Sequence, residues 1–115
     1  MSTEKPSALT THILDTAAGS PVAGVRVELW RIEPGGAVKV TEAVTNADGR
    51  TDAPLLTQES FAAGHYELRF HIAAHFGGAG FLDVVPIAVR LEAGQGHYHV
   101  PLLCSPWSYA TYRGS

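Results

Sequence analysis

The chain has 115 residues, of which 45% are apolar and 17% charged, and it carries a net charge of −3. This length indicates one domain, and the balance of apolar and charged residues argues against a disordered chain. A weakly negative chain gives no electrostatic reason to expect nucleic acid or an anionic membrane as a partner. Composition therefore predicts a single folded domain that binds neither.

A single cysteine, Cys104, excludes an internal disulfide. The first six residues are polar and do not resemble a signal peptide, and no apolar run reaches the roughly 20 residues that span a membrane. We therefore expect a cytoplasmic protein.

The first half of the chain predicts short strands separated by turns. Residues 1–8 are expected to form a flexible N-terminal arm, followed by a single domain over 9–115. Apolar and β-branched residues over 9–14 indicate the first strand, and strict alternation over 25–30 indicates a half-buried second strand. The Glu-Pro-Gly-Gly sequence of 33–36 is typical of a turn, so the next strand should complete a hairpin.

The second half repeats this pattern. An Asn-Ala-Asp-Gly turn at 46–49 precedes a segment, 57–61, that resembles a helix start, and 72–76 could form one or two helical turns. Pro86 indicates either an edge position or an early residue of its strand. The later strands are expected over 66–70, 84–91, 98–103 and 107–112. About eight short strands in all predict an antiparallel sandwich or barrel.

Histidines are the first candidates for chemistry, because imidazole titrates near neutral pH. His97 and His99 are two apart on a predicted strand and share one face, and His12 lies in the first strand. The three could bind zinc, could move protons for a bound water without metal, or could simply decorate a sheet face. Spacing alone leaves these alternatives open.

Other candidates are weaker. Arg50 directly follows a turn, where its guanidinium could hold an oxyanion or a planar polar ligand, although an isolated loop arginine is more often merely solvated. Apolar neighbours favour Cys104 as a buried small residue rather than a nucleophile. Ser108 and Ser115 lack a nucleophile-elbow pattern, which makes serine hydrolase chemistry a weak alternative.

Three ordered motifs carry a family resemblance. The C-terminal stretch His-Tyr-His-Val-Pro-Leu-Leu (97–103) followed by Ser-Pro-Trp-Ser-Tyr-Ala-Thr-Tyr-Arg-Gly-Ser (105–115) closely resembles the signature of 5-hydroxyisourate hydrolases, members of the transthyretin-like family. Residues 9–15 and 45–51 resemble the family's N-terminal motif and central loop. Hormone-carrying transthyretins lack the Tyr-Arg-Gly-Ser ending. Cys104 departs from the family pattern, which usually has an aliphatic residue there.

The resemblance implies an all-β, transthyretin-like two-sheet sandwich of about eight strands with one short helix. It also implies a homotetramer, built as a dimer of dimers, with active sites in the channel between dimers. The implied reaction is hydrolysis of 5-hydroxyisourate to 2-oxo-4-hydroxy-4-carboxy-5-ureidoimidazoline, without metal or organic cofactor. The alternative is a transthyretin-like carrier of a small ligand without catalysis.

The family's functional residues map onto seven positions here. The catalytic residues implied are His12, Arg50, His99 and Ser115. Substrate binding is implied for His12, Arg50, His99, Tyr112, Arg113, Gly114 and Ser115. We favour His99 as the base that takes a proton from water, although the sequence leaves the proton order between His12 and His99 open, and His97 receives a supporting role only.

Overall fold

The computed structural model describes residues 5–114, which form eight strands. Their bounds are β1 (Lys5–Asp15), β2 (Ser20–Pro21), β3 (Arg26–Glu33), β4 (Gly36–Val44), β5 (Gly64–His71), β6 (Val84–Leu91), β7 (Gln95–Cys104) and β8 (Tyr109–Thr111). The expected all-β architecture of about eight strands is confirmed. The hairpin predicted around the turn at 33–36 is the connection between β3 and β4.

The strands form two four-stranded sheets. The first sheet has the order β2-β1-β7-β8 and the second the order β4-β3-β5-β6. β1 and β7 run parallel, and all other pairs are antiparallel. β6 lies at an edge, one of the two positions that Pro86 indicated, where the missing proline N–H costs no internal ladder bond.

Alternation along the strands divides the core from the outer faces. On β1, Leu9 and Ile13 are fully buried between the sheets, whereas Thr10 and His12 face outward. On β7, Val100 and Leu102 are buried in the same core. The second sheet contributes apolar side chains from β3, β5 and β6, including Val27, Leu29, Leu68, Phe70, Val85 and Leu91. The polar outward residues of β1 and β7 therefore meet on the outer face of the first sheet.

The expected short helix is wrong for the described residues 5–114. The segment 72–76 forms only successive turns, with backbone bonds such as His75 N–H to Ile72 O at 3.1 Å. Gly77 and Gly78 follow with φ of 68° and 74°, a left-handed backbone that ends any helical continuation. At 57–61 the hydroxyls of the segment bond locally and stabilise a single turn instead.

The expected arm of residues 1–8 is also wrong in its second half. β1 begins at Lys5, because the backbone of residues 5–8 pairs with β7 through Lys5 opposite Gln95 and Ala8 opposite His97. Residues 1–4 lie outside the described residues. Within the described part of the chain, no helix has the length and apolar character needed to cross a bilayer.

Candidate active site

The parallel pairing of β1 with β7 brings His12 and His99 together. In this register Thr10 lies opposite His99 and His12 opposite Pro101, so the two imidazoles are diagonal neighbours on the outer face. His12 Nδ1 lies 2.6 Å from His99 Nε2, and the ring centroids are 4.8 Å apart. The 2.6 Å separation of the nitrogens corresponds to a short hydrogen bond, and it joins two rings that are 87 positions apart in the sequence.

Thr10 extends this pair to a third histidine. Its hydroxyl oxygen lies 2.7 Å from His99 Nδ1 and 2.7 Å from His97 Nε2. Sequence reasoning missed Thr10, although its position two residues before His12 on the same strand face was a usable signal. The result is a continuous hydrogen-bonded chain, His97–Thr10–His99–His12.

The turn at 46–49 holds Arg50 against the histidine pair. Gly49 O accepts a 2.8 Å hydrogen bond from Ile13 N–H, and Arg50 forms an isolated backbone bridge with His12. Gly49 has φ of 74°, and a Cβ there would stand 2.5 Å from Ile13 O. Only glycine fits this close approach, so the turn can rest on β1 and place Arg50 next to His12.

An open cleft of about 250 Å³ lies beside the histidine pair, and of the two rings only His99 is among the residues that line it. Thr10, His97 and His99 line it from the strands, and Arg50 and Asp52 line it from the segment that follows the turn. The lining combines imidazoles, a guanidinium, a carboxylate and a hydroxyl. Such groups suit a polar substrate that presents hydrogen-bond donors and acceptors.

Burial and positive charge keep both rings of the pair neutral. His99 is 8% exposed, and burial, followed by the charges of His12, Arg50 and His97, lowers its pKa to about 4. Burial, and then the nearby Arg50 guanidinium, also lowers the pKa of His12 below its usual 6.5. At neutral pH each ring therefore has one N–H and one unprotonated nitrogen, as a proton-accepting group requires.

The geometry disfavours His99 as the group that contacts water directly. Both of its ring nitrogens are already hydrogen-bonded, one to Thr10 and one to His12. Among the described residues, none hydrogen-bonds to His12 Nε2. His12 therefore has the free nitrogen of the pair, contrary to our preference for His99 as the base.

The C-terminal segment is only partly at this site. Gly114 N–H donates a 2.7 Å hydrogen bond to His99 O, and a Cβ on Gly114 would stand 2.9 Å from His99 Cδ2. Tyr112 and Arg113 instead line a second cleft of about 310 Å³ beside β6. There the Arg113 guanidinium donates to Gln95 O at 2.9 Å. Within one chain, Tyr112 and Arg113 therefore do not meet the histidine pair, and Ser115 lies outside the described residues.

Other histidines lie elsewhere. His71 pairs with Glu28 at 2.6 Å and His75 with Asp15 at 2.9 Å, both away from the cleft. Within residues 5–114, no group of three or more His, Cys, Asp or Glu side chains is arranged to hold a metal ion. Cys104 is 1% exposed, and burial raises its thiol pKa to about 11, as expected of a packing residue.

Comparison with known proteins places this geometry in a family. A curated relative from Deinococcus radiodurans, a 5-hydroxyisourate hydrolase, is 56% identical, and the alignment covers 93% of this chain and 95% of the relative. The crystal structure of an (S)-allantoin synthase superposes with a TM-score of 0.87 at 41% identity. That match covers 97% of this chain but only 45% of the synthase, so the chain spans less than half of its length.

The structure of the Klebsiella pneumoniae 5-hydroxyisourate hydrolase superposes with a TM-score of 0.80 at 34% identity, covering 97% of this chain and 96% of that one. The HIUase/Transthyretin family matches residues 9–114, which is nearly the whole chain. The chain belongs to the HIUase/Transthyretin family.

Proposed function

We propose that the chain is a 5-hydroxyisourate hydrolase that opens the six-membered ring of its substrate to give 2-oxo-4-hydroxy-4-carboxy-5-ureidoimidazoline. The observation that carries this proposal is the neutral His12–His99 pair, joined at 2.6 Å, with His99 and Arg50 lining a polar cleft. The name of the 56%-identical relative supports the same substrate.

Ring opening requires water to add to an amide carbonyl and the C–N bond to break. His12 Nε2 takes a proton from the attacking water, and the hydroxide forms a bond to the carbonyl carbon. The proton is then returned to the departing ring nitrogen, so the water is divided between a new carboxyl group and a new N–H. General acid–base assistance of this kind contributes roughly 10²–10⁴-fold in rate.

Arg50 stabilises the negative charge that develops on the carbonyl oxygen. Its guanidinium is permanently charged and offers several donors in one plane, which matches an oxyanion or a planar polar ring. Gly114 supports the site by packing on His99. We assign substrate binding to Tyr112, Arg113 and Ser115 as part of this proposal, with contacts that require the assembled protein.

The cleft favours an enzyme over a small-ligand carrier. Carrier and cofactor pockets are predominantly apolar, with only a few polar groups. Here His97, His99, Arg50 and Asp52 all line the cleft.

We also propose a homotetramer arranged as a dimer of dimers. Large apolar side chains that a lone chain would leave in water support it: Phe81 is 76% exposed and Trp107 69%. Their segments contact each other, since Phe81 N–H donates to Pro106 O at 2.9 Å. Sedimentation velocity should give a particle of four 12.2 kDa chains, and a monomer at assay concentration would contradict the assembly. The cytoplasmic location stays a prediction.

The test of function is the ultraviolet decay of 5-hydroxyisourate, generated in situ from urate by urate oxidase. The chain should accelerate this decay, and His99→Ala and Arg50→Lys should each lower kcat by about 100-fold or more. His65→Ala is the matched control, because His65 is an exposed histidine on β5 of the other sheet.

An unchanged decay in the presence of the folded wild-type chain would refute the hydrolase proposal. Dialysis against a chelator should leave turnover unchanged. Loss of turnover on dialysis, restored by zinc, would instead support the histidine-ligated metal site that the sequence left open.

A further inference from the structure

Two of the three hydrogen bonds in the histidine chain involve a residue with no assigned role. Thr10 Oγ1 lies 2.7 Å from both His97 Nε2 and His99 Nδ1, so one hydroxyl joins an exposed histidine to a buried one. His99 then contacts His12 at 2.6 Å. The hydrogen-bonded chain His97–Thr10–His99–His12 thus runs from the free nitrogen of His12, through the buried ring of His99, to the solvent-exposed ring of His97.

The hydrogen bonds of the chain His97–Thr10–His99–His12 can run in either of two donor-to-acceptor directions. A neutral imidazole has one N–H and one lone pair, whereas a hydroxyl can donate once and accept at the same time. In the first direction His12 donates to His99, His99 to Thr10 and Thr10 to His97, which leaves His12 Nε2 without a proton. In the second direction every bond is reversed, and His12 Nε2 carries a proton.

We propose that Thr10 is a positioning residue that relays a proton between His99 and His97, so that His97 is the solvent-side end of the proton pathway that starts at His12. The inference rests on the proposed hydrolase function. It adds a residue and a pathway to that site.

The transfer balances without any co-reactant. His12 Nε2 takes a proton from water and gives its Nδ1 proton to His99 Nε2. His99 gives its Nδ1 proton to Thr10 Oγ1, and the Thr10 hydroxyl gives its own proton to His97 Nε2. One proton enters at His12 and one appears on His97, while the buried His99 stays neutral before and after. Reversal of the same steps returns the proton to the leaving nitrogen.

Thr10→Val tests the relay, because valine keeps the shape of the side chain and removes the hydroxyl. We expect kcat to fall by about tenfold or more, with KM within about twofold, since the hydroxyl acts on proton transfer rather than on binding. Thr10→Ser retains a hydroxyl and should restore most of the rate. Thr41→Val is the matched control, because Thr41 lies on β4 of the other sheet, away from the cleft.

The second measurement is a double-mutant cycle with His97→Gln, in which glutamine can still bond Thr10 but cannot carry the proton onward. If both residues belong to one pathway, each single variant should lose a similar factor, and the double variant should be no slower than the slower single one. Wild-type kcat in Thr10→Val, or losses that multiply in the double variant, would overturn the relay while leaving the hydrolase proposal intact. An inactive wild-type chain would overturn both.

Discussion

Gly114→Ala tests whether the C-terminal segment positions His99. The added methyl would stand 2.9 Å from His99 Cδ2 and 3.2 Å from His99 Cβ, against an ordinary carbon–carbon contact of about 3.5 Å or more. The ring must therefore withdraw by roughly 0.6 Å. A 1 Å misplacement of a catalytic group can cost about 100-fold, so we expect a fall in kcat of about tenfold. Gly114 does not have a left-handed backbone, so alanine adds no backbone strain there.

The assay is kcat by ultraviolet decay, with chemical denaturation in parallel and ¹⁵N NMR of the imidazole rings as a direct probe of His99. Gly35→Ala is the control, since Gly35 likewise lacks a positive φ and a Cβ there would meet no atom within 4 Å. It should keep wild-type kcat. Wild-type kcat and an unshifted His99 signal in Gly114→Ala would mean that the C-terminal segment moves instead of the ring, and the positioning argument would fail.

Three further predictions follow from burial and packing. As pH falls from 6.5 to 4, the unfolded chain binds a proton at His99 that the folded chain excludes, so the free energy of unfolding should fall by about 3 kcal/mol. In denaturation experiments at several pH values, His99→Gln should reduce this dependence of the free energy of unfolding on pH, whereas His65→Gln should not. Gly49→Ala should destabilise by about 2 kcal/mol or more beyond Gly19→Ala, which shares the left-handed φ but has no neighbour within 4 Å; equal losses would contradict the contact with Ile13. Cys104 should resist thiol reagents at pH 8 until the chain is denatured, and rapid labelling of the folded protein would contradict its burial.

Local patterns were sufficient for much of the fold. Alternation over 25–30 and 66–70 identified strands, because a sheet with one buried face requires period two. The Pro-Gly-Gly turn identified the β3–β4 hairpin, and an edge position was one of the two that Pro86 indicated for its strand. The short helix that the family resemblance implied does not form at 72–76, because that segment is short and is followed by two left-handed glycines.

Local patterns also predicted part of the candidate site. Histidine content, an arginine after a turn and the family motifs pointed to His12, Arg50 and His99, since these are properties of the residues and their immediate neighbours. Thr10 and the order of contacts could not be predicted. They depend on the parallel register of β1 and β7, which joins residues 87 to 89 positions apart.

The sequence by itself determined the all-β class, most of the strands and the residue types that can move protons, because each depends on side-chain chemistry or short-range periodicity. Only the tertiary structure decided which nitrogen of which histidine is free, that a threonine joins two rings, and that Gly114 rests on His99. A shift of β1 against β7 by one residue would turn His12 into the core and leave the composition unchanged. Long-range register therefore converts a set of polar residues into an ordered proton pathway.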